Sequence, residues 1–153
     1  MPNFGMFPQQ ETLLAQTTIT ATGTQALAQA LPPASSYRII CQVNSVSGTS
    51  PTLVMAVCTS FDGGTTYNSV VSTSTMTTTG QGQQLLIRPY LGIGDAATNA
   101  ATALVGTATL AAATVNNGPI NPQNVQLQFV AGGTSPSFSV KVGVIAVPQD
   151  LSD

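Results

Sequence analysis

From residue 124 to 147 apolar and polar side chains alternate with a period of two, on either side of one short break. Val125, Leu127, Phe129 and Ala131 alternate with Asn124, Gln126, Gln128 and Val130. Beyond Gly132-Gly133-Thr134-Ser135-Pro136, the residues Phe138, Val140, Val142 and Val144 alternate with Ser139, Lys141, Gly143 and Ile145. This period places each apolar set on one face of a strand. The intervening turn chemistry predicts a β-hairpin folded about Thr134-Ser135. Phe129 would then oppose Val140, Leu127 would oppose Val142, and Val125 would oppose Val144. A lone hairpin is marginally stable, so a second sheet must cover the apolar face.

Residues 36–60 supply a second hairpin of the same kind. Tyr37, Ile39, Cys41 and Val43 alternate with Arg38, Ile40, Gln42 and Asn44, then Gly48-Thr49-Ser50-Pro51 precedes a run of mostly apolar residues ending at Cys58. The tetrapeptide Gly-Thr-Ser-Pro thus occurs at 48–51 and again at 133–136. Two duplicated hairpins would suit two sheets face to face. Such residues also make good turns anywhere, so coincidence stays open. Folding about Thr49-Ser50 sets Cys41 opposite Cys58. A disulfide is conceivable there, but two buried thiols are the favoured reading, since no export signal is expected.

The remaining segments complete an all-β expectation: an antiparallel β-sandwich or jelly-roll-like domain over 17–153, preceded by an extended N-terminal arm over 1–16. The arm carries Phe4 and Phe7 among Pro2, Gly5 and Pro8. It reads either as a frayed terminus or as an arm that docks aromatic plugs into a neighbour. Residues 17–24 are β-branched and read as a strand. Residues 25–31 fit a short helix or a strand, stopped by Pro32-Pro33. Residues 68–79 read as one or two exposed strands. Residues 83–90 read as a strand ended by Pro89, with Arg88 and Tyr90 at a sheet edge or an interface. Residues 91–122 form a long insertion rich in Ala, Thr and Gly, with Asp95 its only charge. Within it 96–103 could form a short helix and 104–115 an extended stretch. The insertion is either a subunit contact or a surface loop. Residues 148–153 are a short acidic tail.

Composition narrows the functions. Only 5% of the 153 residues are charged, and the three basic ones are Arg38, Arg88 and Lys141. Nucleic-acid binding needs clustered cations, and so does attraction to an anionic membrane surface; neither is expected. No apolar run approaches the roughly 18 residues of a membrane-spanning helix, and no signal peptide is expected. The chain has no histidine and two cysteines. A histidine-based triad and a histidine metal site are therefore excluded, and no cofactor is expected. The five carboxylates, Glu11, Asp62, Asp95, Asp150 and Asp153, are dispersed.

One motif stands out. Residues 60–67 read Ser60-Phe61-Asp62-Gly63-Gly64-Thr65-Thr66-Tyr67. The pattern Ser60, Asp62, Gly64, Thr66, Tyr67 resembles the Asp-box of sialidases and related β-propellers, with Tyr67 at the usual Trp position. In that family the motif is a structural turn, not a catalytic site. It occurs once here, in a chain too short for a propeller. The turn reading implies that Asp62 accepts backbone N–H groups and that Gly63 and Gly64 adopt positive φ.

The Gly-Thr-Ser-Pro repeats, this motif and the sequence 135–147 together resemble the small β-sandwich structural proteins of tailed-bacteriophage virions, capsid decoration (cement) proteins foremost. The resemblance covers roughly residues 36–147. It implies a non-enzymatic, often homotrimeric protein on the capsid surface, with the major capsid protein as partner and the 1–16 arm gripping a neighbour. A tail or head-fibre component is the alternative. A carbohydrate-binding module ranks below both, because the chain has no Trp and its three tyrosines are scattered.

Overall fold

The structure is a computed structural model that describes residues 9–87 and 120–147. These residues form an all-β, antiparallel fold; no helix occurs among them. The strands are β1 Gln9–Ile19, β2 Gly23–Ala26, β3 Ser36–Thr59, β4 Asn68–Ser72, β5 Gly82–Ile87 and β6 Val125–Val147.

The two hairpins expected from the sequence are instead two very long strands. β3 and β6 pair with each other, antiparallel, from Ser36↔Val147 through Thr49↔Thr134 to Thr59↔Val125. Each Gly-Thr-Ser-Pro segment bends its strand without reversing it. Gly48 and Ser50 have φ of 113° and 49°, and Gly133 and Ser135 have 99° and 47°. Register shifts flank Thr49, so the segments act as paired bulges that oppose one another. Val140 therefore faces Val43, and Phe129 faces Met55. Cys41 lies opposite Val142 on one side and Gln83 on the other, and Cys58 opposite Gln126 and Ser69. The predicted Cys41–Cys58 juxtaposition does not occur, and both thiols are free and buried.

The outer strands follow the bend. β1 flanks the C-terminal part of β6 and β2 its N-terminal part. β5 flanks the N-terminal part of β3, and β4 its C-terminal part. The result is an open antiparallel sheet, folded over at the two Gly-Thr-Ser-Pro segments into two sandwich-like layers. Layer one holds β1, β5 and the adjoining parts of β6 and β3; layer two holds β2, β4 and the rest. A hydrogen bond demonstrates the folding over. The Ala28 N–H donates to the Leu13 carbonyl at 2.8 Å, although on an unbent edge these residues would stand on the order of 50 Å apart at about 3.3 Å per residue.

The layers close on one core. Tyr37, Ile39, Cys41, Val43, Val140, Val142 and Val144 come from layer one, and Leu53, Met55, Val57, Leu127 and Phe129 from layer two; all are completely buried in a single cluster. The inward set read from the period-two pattern is buried except for Ala131, which packs partly buried against the cluster. Tyr37 settles its hydroxyl by donating to the Pro32 carbonyl at 2.6 Å.

Two further expectations change, and one open reading is settled. Residues 9–16 belong to the sheet: β1 pairs with β6 from Gln9↔Ala146 to Ile19↔Phe138, and Leu13 is fully buried. The predicted 1–16 arm thus has its second half inside the domain, while Phe4 and Phe7 lie outside the described residues. Residues 25–31 include no helix; β2 runs to Ala26. Within 68–79, Val70, Val71, Thr73 and Met76 are buried rather than exposed, because Met76 bridges to Leu53 and extends the β4 edge toward the bend. Two glutamines hold the turn that follows. Gln83 Oε1 accepts from the Ser74 N–H, and Gln81 Oε1 from the Thr77 N–H.

Candidate functional site

The motif at 60–67 leaves the end of β3, the end of layer two far from the bend. Its base is anchored in a polar cluster. Thr59 Oγ1 accepts from the Asn121 N–H at 2.8 Å. The Ser60 N–H donates to the Asn124 carbonyl at 3.0 Å, and Asn121 Nδ2 donates to the Ser60 carbonyl at 3.0 Å. Thr59 and Ser60 are fully buried polar residues with these partners in place.

Ser60 and Asp62 then fix the loop. The Ser60 hydroxyl donates to Asp62 Oδ1 at 2.7 Å, and its oxygen accepts from the Gly64 N–H at 2.9 Å. Asp62 Oδ1 also accepts from the N–H groups of Thr66 at 2.8 Å and Thr65 at 3.1 Å. Gly63 and Gly64 have φ of 72° and 90°, a region open to glycine at no steric cost. A Cβ on Gly64 would also lie 3.3 Å from the Tyr67 hydroxyl. Ser60, Asp62, Gly64, Thr66 and Tyr67 are therefore parts of one turn.

The donors aimed at Asp62 stabilise its charged form. The Thr66 N–H, then the Ser60 and Thr66 side chains, hold its carboxyl down at about 2. A carboxylate this acidic is a poor base, so it cannot usefully activate the Ser60 hydroxyl beside it. The Asp62–Ser60 pair is a clamp and not a nucleophile with its base. Among the described residues no three His, Cys, Asp or Glu side chains gather as a metal site would require. Burial pushes the Cys41 thiol up to about 12 and also raises that of Cys58; a thiol so disposed is an inert packing group.

What the clamp displays is Phe61, 61% exposed between buried Ser60 and the Asp62 lock. The sequence reading passed over Phe61, because the motif leaves the position between Ser and Asp unspecified. Its signal was an aromatic inside a turn, where no strand period can direct it inward. Asn121 and Asn124 were missed as braces because they lie about sixty residues further along the chain. Of the other sequence-predicted interaction residues, Arg88 and Tyr90 lie outside the described residues, as do Phe4 and Phe7. Comparison with protein-family models, with curated proteins and with solved structures gave no match.

Proposed function

We propose that this chain is a non-enzymatic structural protein of a tailed-bacteriophage virion, which binds an assembled capsid and stabilises it as a decoration or cement protein. Its partners in this reading are the major capsid protein and further copies of itself in a homotrimer. The observation that carries the reading is the polarity of the domain. Gln9, Ser36, Ile87 and Val147 sit together at one end of layer one, and the 60–67 turn sits with Asn121 and Asn124 at the corresponding end of layer two. The segments 1–8, 88–119 and 148–153 all join the domain at this end, through Gln9, through Ile87 and Ile120, and through Val147. The opposite end is the bend, a small exposed apex of Gly, Thr and Ser. A rigid block with its connections gathered at one end suits attachment to a lattice.

The low charge supports the same reading. The outward positions of the central strands carry Gln42, Asn44, Ser45, Gln126, Gln128 and Ser139, with Arg38 and Lys141 their only charges and both in layer one; the outer face of layer two is suited to uncharged protein contacts. Many weak contacts multiplied over an oligomer give tight attachment without one strong site. Binding to the intact lattice stabilises it by mass action.

Two measurements test the proposal. Light scattering should give a trimer mass for the full chain and for a chain lacking residues 1–8; the deletion must stop there, because residue 9 begins the sheet. The full chain should also sediment with assembled coat-protein shells but not with free coat subunits, and only weakly less at high salt. A monomer that ignores shells would overturn the proposal, and sedimentation with tail or fibre assemblies instead would favour that other virion component.

A further inference from the structure

We infer that Phe61 is the anchor of a protein-binding surface, a preformed knob that enters an apolar pocket on the partner. The inference rests on the capsid-binding reading and names the contact that carries it. Phe129, Phe138 and Tyr37 are fully buried, whereas Phe61 is exposed although it adjoins one of the best-buried polar residues of the domain. Among the described residues the core takes in these three aromatics and leaves Phe61 out.

The loop that carries it is held from both sides. Ser60 is tied to Asn121 and Asn124 behind it, and Asp62 accepts from Ser60, Thr65 and Thr66 ahead of it. Because the loop backbone is already fixed, binding through Phe61 has little backbone ordering left to offset, a condition that favours affinity.

Charge selects the class of partner. Over residues 39–87 and 120–140 Asp62 is the only charged residue, so the whole of layer two and its turns carries no cation. The side chain beside Phe61 is a carboxylate that stays ionised. A nucleic acid or an anionic lipid surface would be repelled there and would find nothing to hold it. A protein pocket, apolar at its floor and with hydrogen-bond donors at its rim, matches both the ring and its acidic neighbour.

The test is co-sedimentation of the full chain with assembled coat-protein shells, using wild type, Phe61→Ser and Phe61→Leu, with thermal melting of each and of Ser60→Ala. Phe61→Ser should bind at least tenfold more weakly with an unchanged Tm, and Phe61→Leu should fall between it and wild type. Equal binding of wild type and Phe61→Ser overturns the knob and leaves the capsid reading standing. Wild type failing to bind shells overturns that reading, and the knob with it. A Phe61→Ser loss matched by a fall in Tm as large as that of Ser60→Ala also overturns the knob, since the loss is then one of folding.

Discussion

Gly48 and Gly133 each lie against the other's tetrapeptide. A Cβ on Gly48 would stand 2.6 Å from the Ser135 carbonyl oxygen, and a Cβ on Gly133 would stand 2.5 Å from that of Ser50. The relationship is reciprocal down to the prolines, with Pro136 and Pro51 Cα at 3.1 and 3.0 Å. The flanks obey the same local two-fold: Val46 pairs with Phe138 as Leu53 pairs with Ala131. The obstacles are backbone atoms, and both glycines have positive φ. Gly48→Ala and Gly133→Ala should therefore each destabilise the protein by about 2 kcal/mol or more. Urea denaturation would measure it. The double variant should lose less than the sum, because both substitutions open the same crossing.

Leu13 places residues 9–16 in the domain, and its truncation has a defined cost. Leu13→Ala removes a fully buried side chain and should lower stability by about 2–5 kcal/mol. Deleting residues 1–16 removes most of β1 and should abolish the cooperative melting transition followed by circular dichroism.

Asp62 makes a prediction with a sign. Its folded-state carboxyl is held at about 2, below the unfolded value near 4, so the unfolded chain takes up the proton first. The stabilisation is present above the unfolded value and is lost as pH falls from about 4 through 2. Asp62→Asn should melt below wild type at pH 6, and the gap should narrow steeply between pH 4 and pH 2. A gap as wide at pH 2 as at pH 6 would mean that the charge is not what stabilises the turn.

Cys41 and Cys58 should behave as core thiols. Neither should react with a thiol reagent at pH 8 until the protein unfolds, and a reductant should leave Tm unchanged. Cys41→Ser should cost about 1–3 kcal/mol, because its hydroxyl would be buried among apolar neighbours.

The sequence told which faces are buried more reliably than which strands meet. Period two marks the inward side of Val125, Leu127, Phe129, Val140 and Val142 whatever strand lies alongside, and the fold buries all of them. The partner is a separate matter. Gly-Thr-Ser-Pro satisfies a hairpin turn locally, and only its encounter with a second copy of itself turns it into a bend in a continuing strand. The strand at 9–16 was hidden for a local reason. Bulges between Thr12 and Leu14 and between Leu14 and Thr17 bring the adjacent Leu13 and Leu14 both into the core and erase the alternation that identifies a strand. In the candidate site the Ser60–Asp62 clamp was legible because its donors and acceptor are a few residues apart. Phe61 was not, since exposure depends on what the rest of the fold leaves uncovered.

The pairing of β3 with β6 also governs the order in which the molecule can come into being. Their meeting joins residues as far apart as Thr59 and Asn124, separated by 65 positions, and Ser35 and Val147, separated by 112. Loops of that length must close before any of the central ladder rewards them, which makes for slow folding. On the ribosome β3 emerges with its β6-facing edge vacant and cannot be completed until residue 147 is free. Layer two has all its strands first, since it takes the earlier part of β6, whereas layer one must wait for residues 138–147. The central ladder of the nascent chain thus stays open until β6 emerges, and its two layers become able to close one after the other, layer two before layer one.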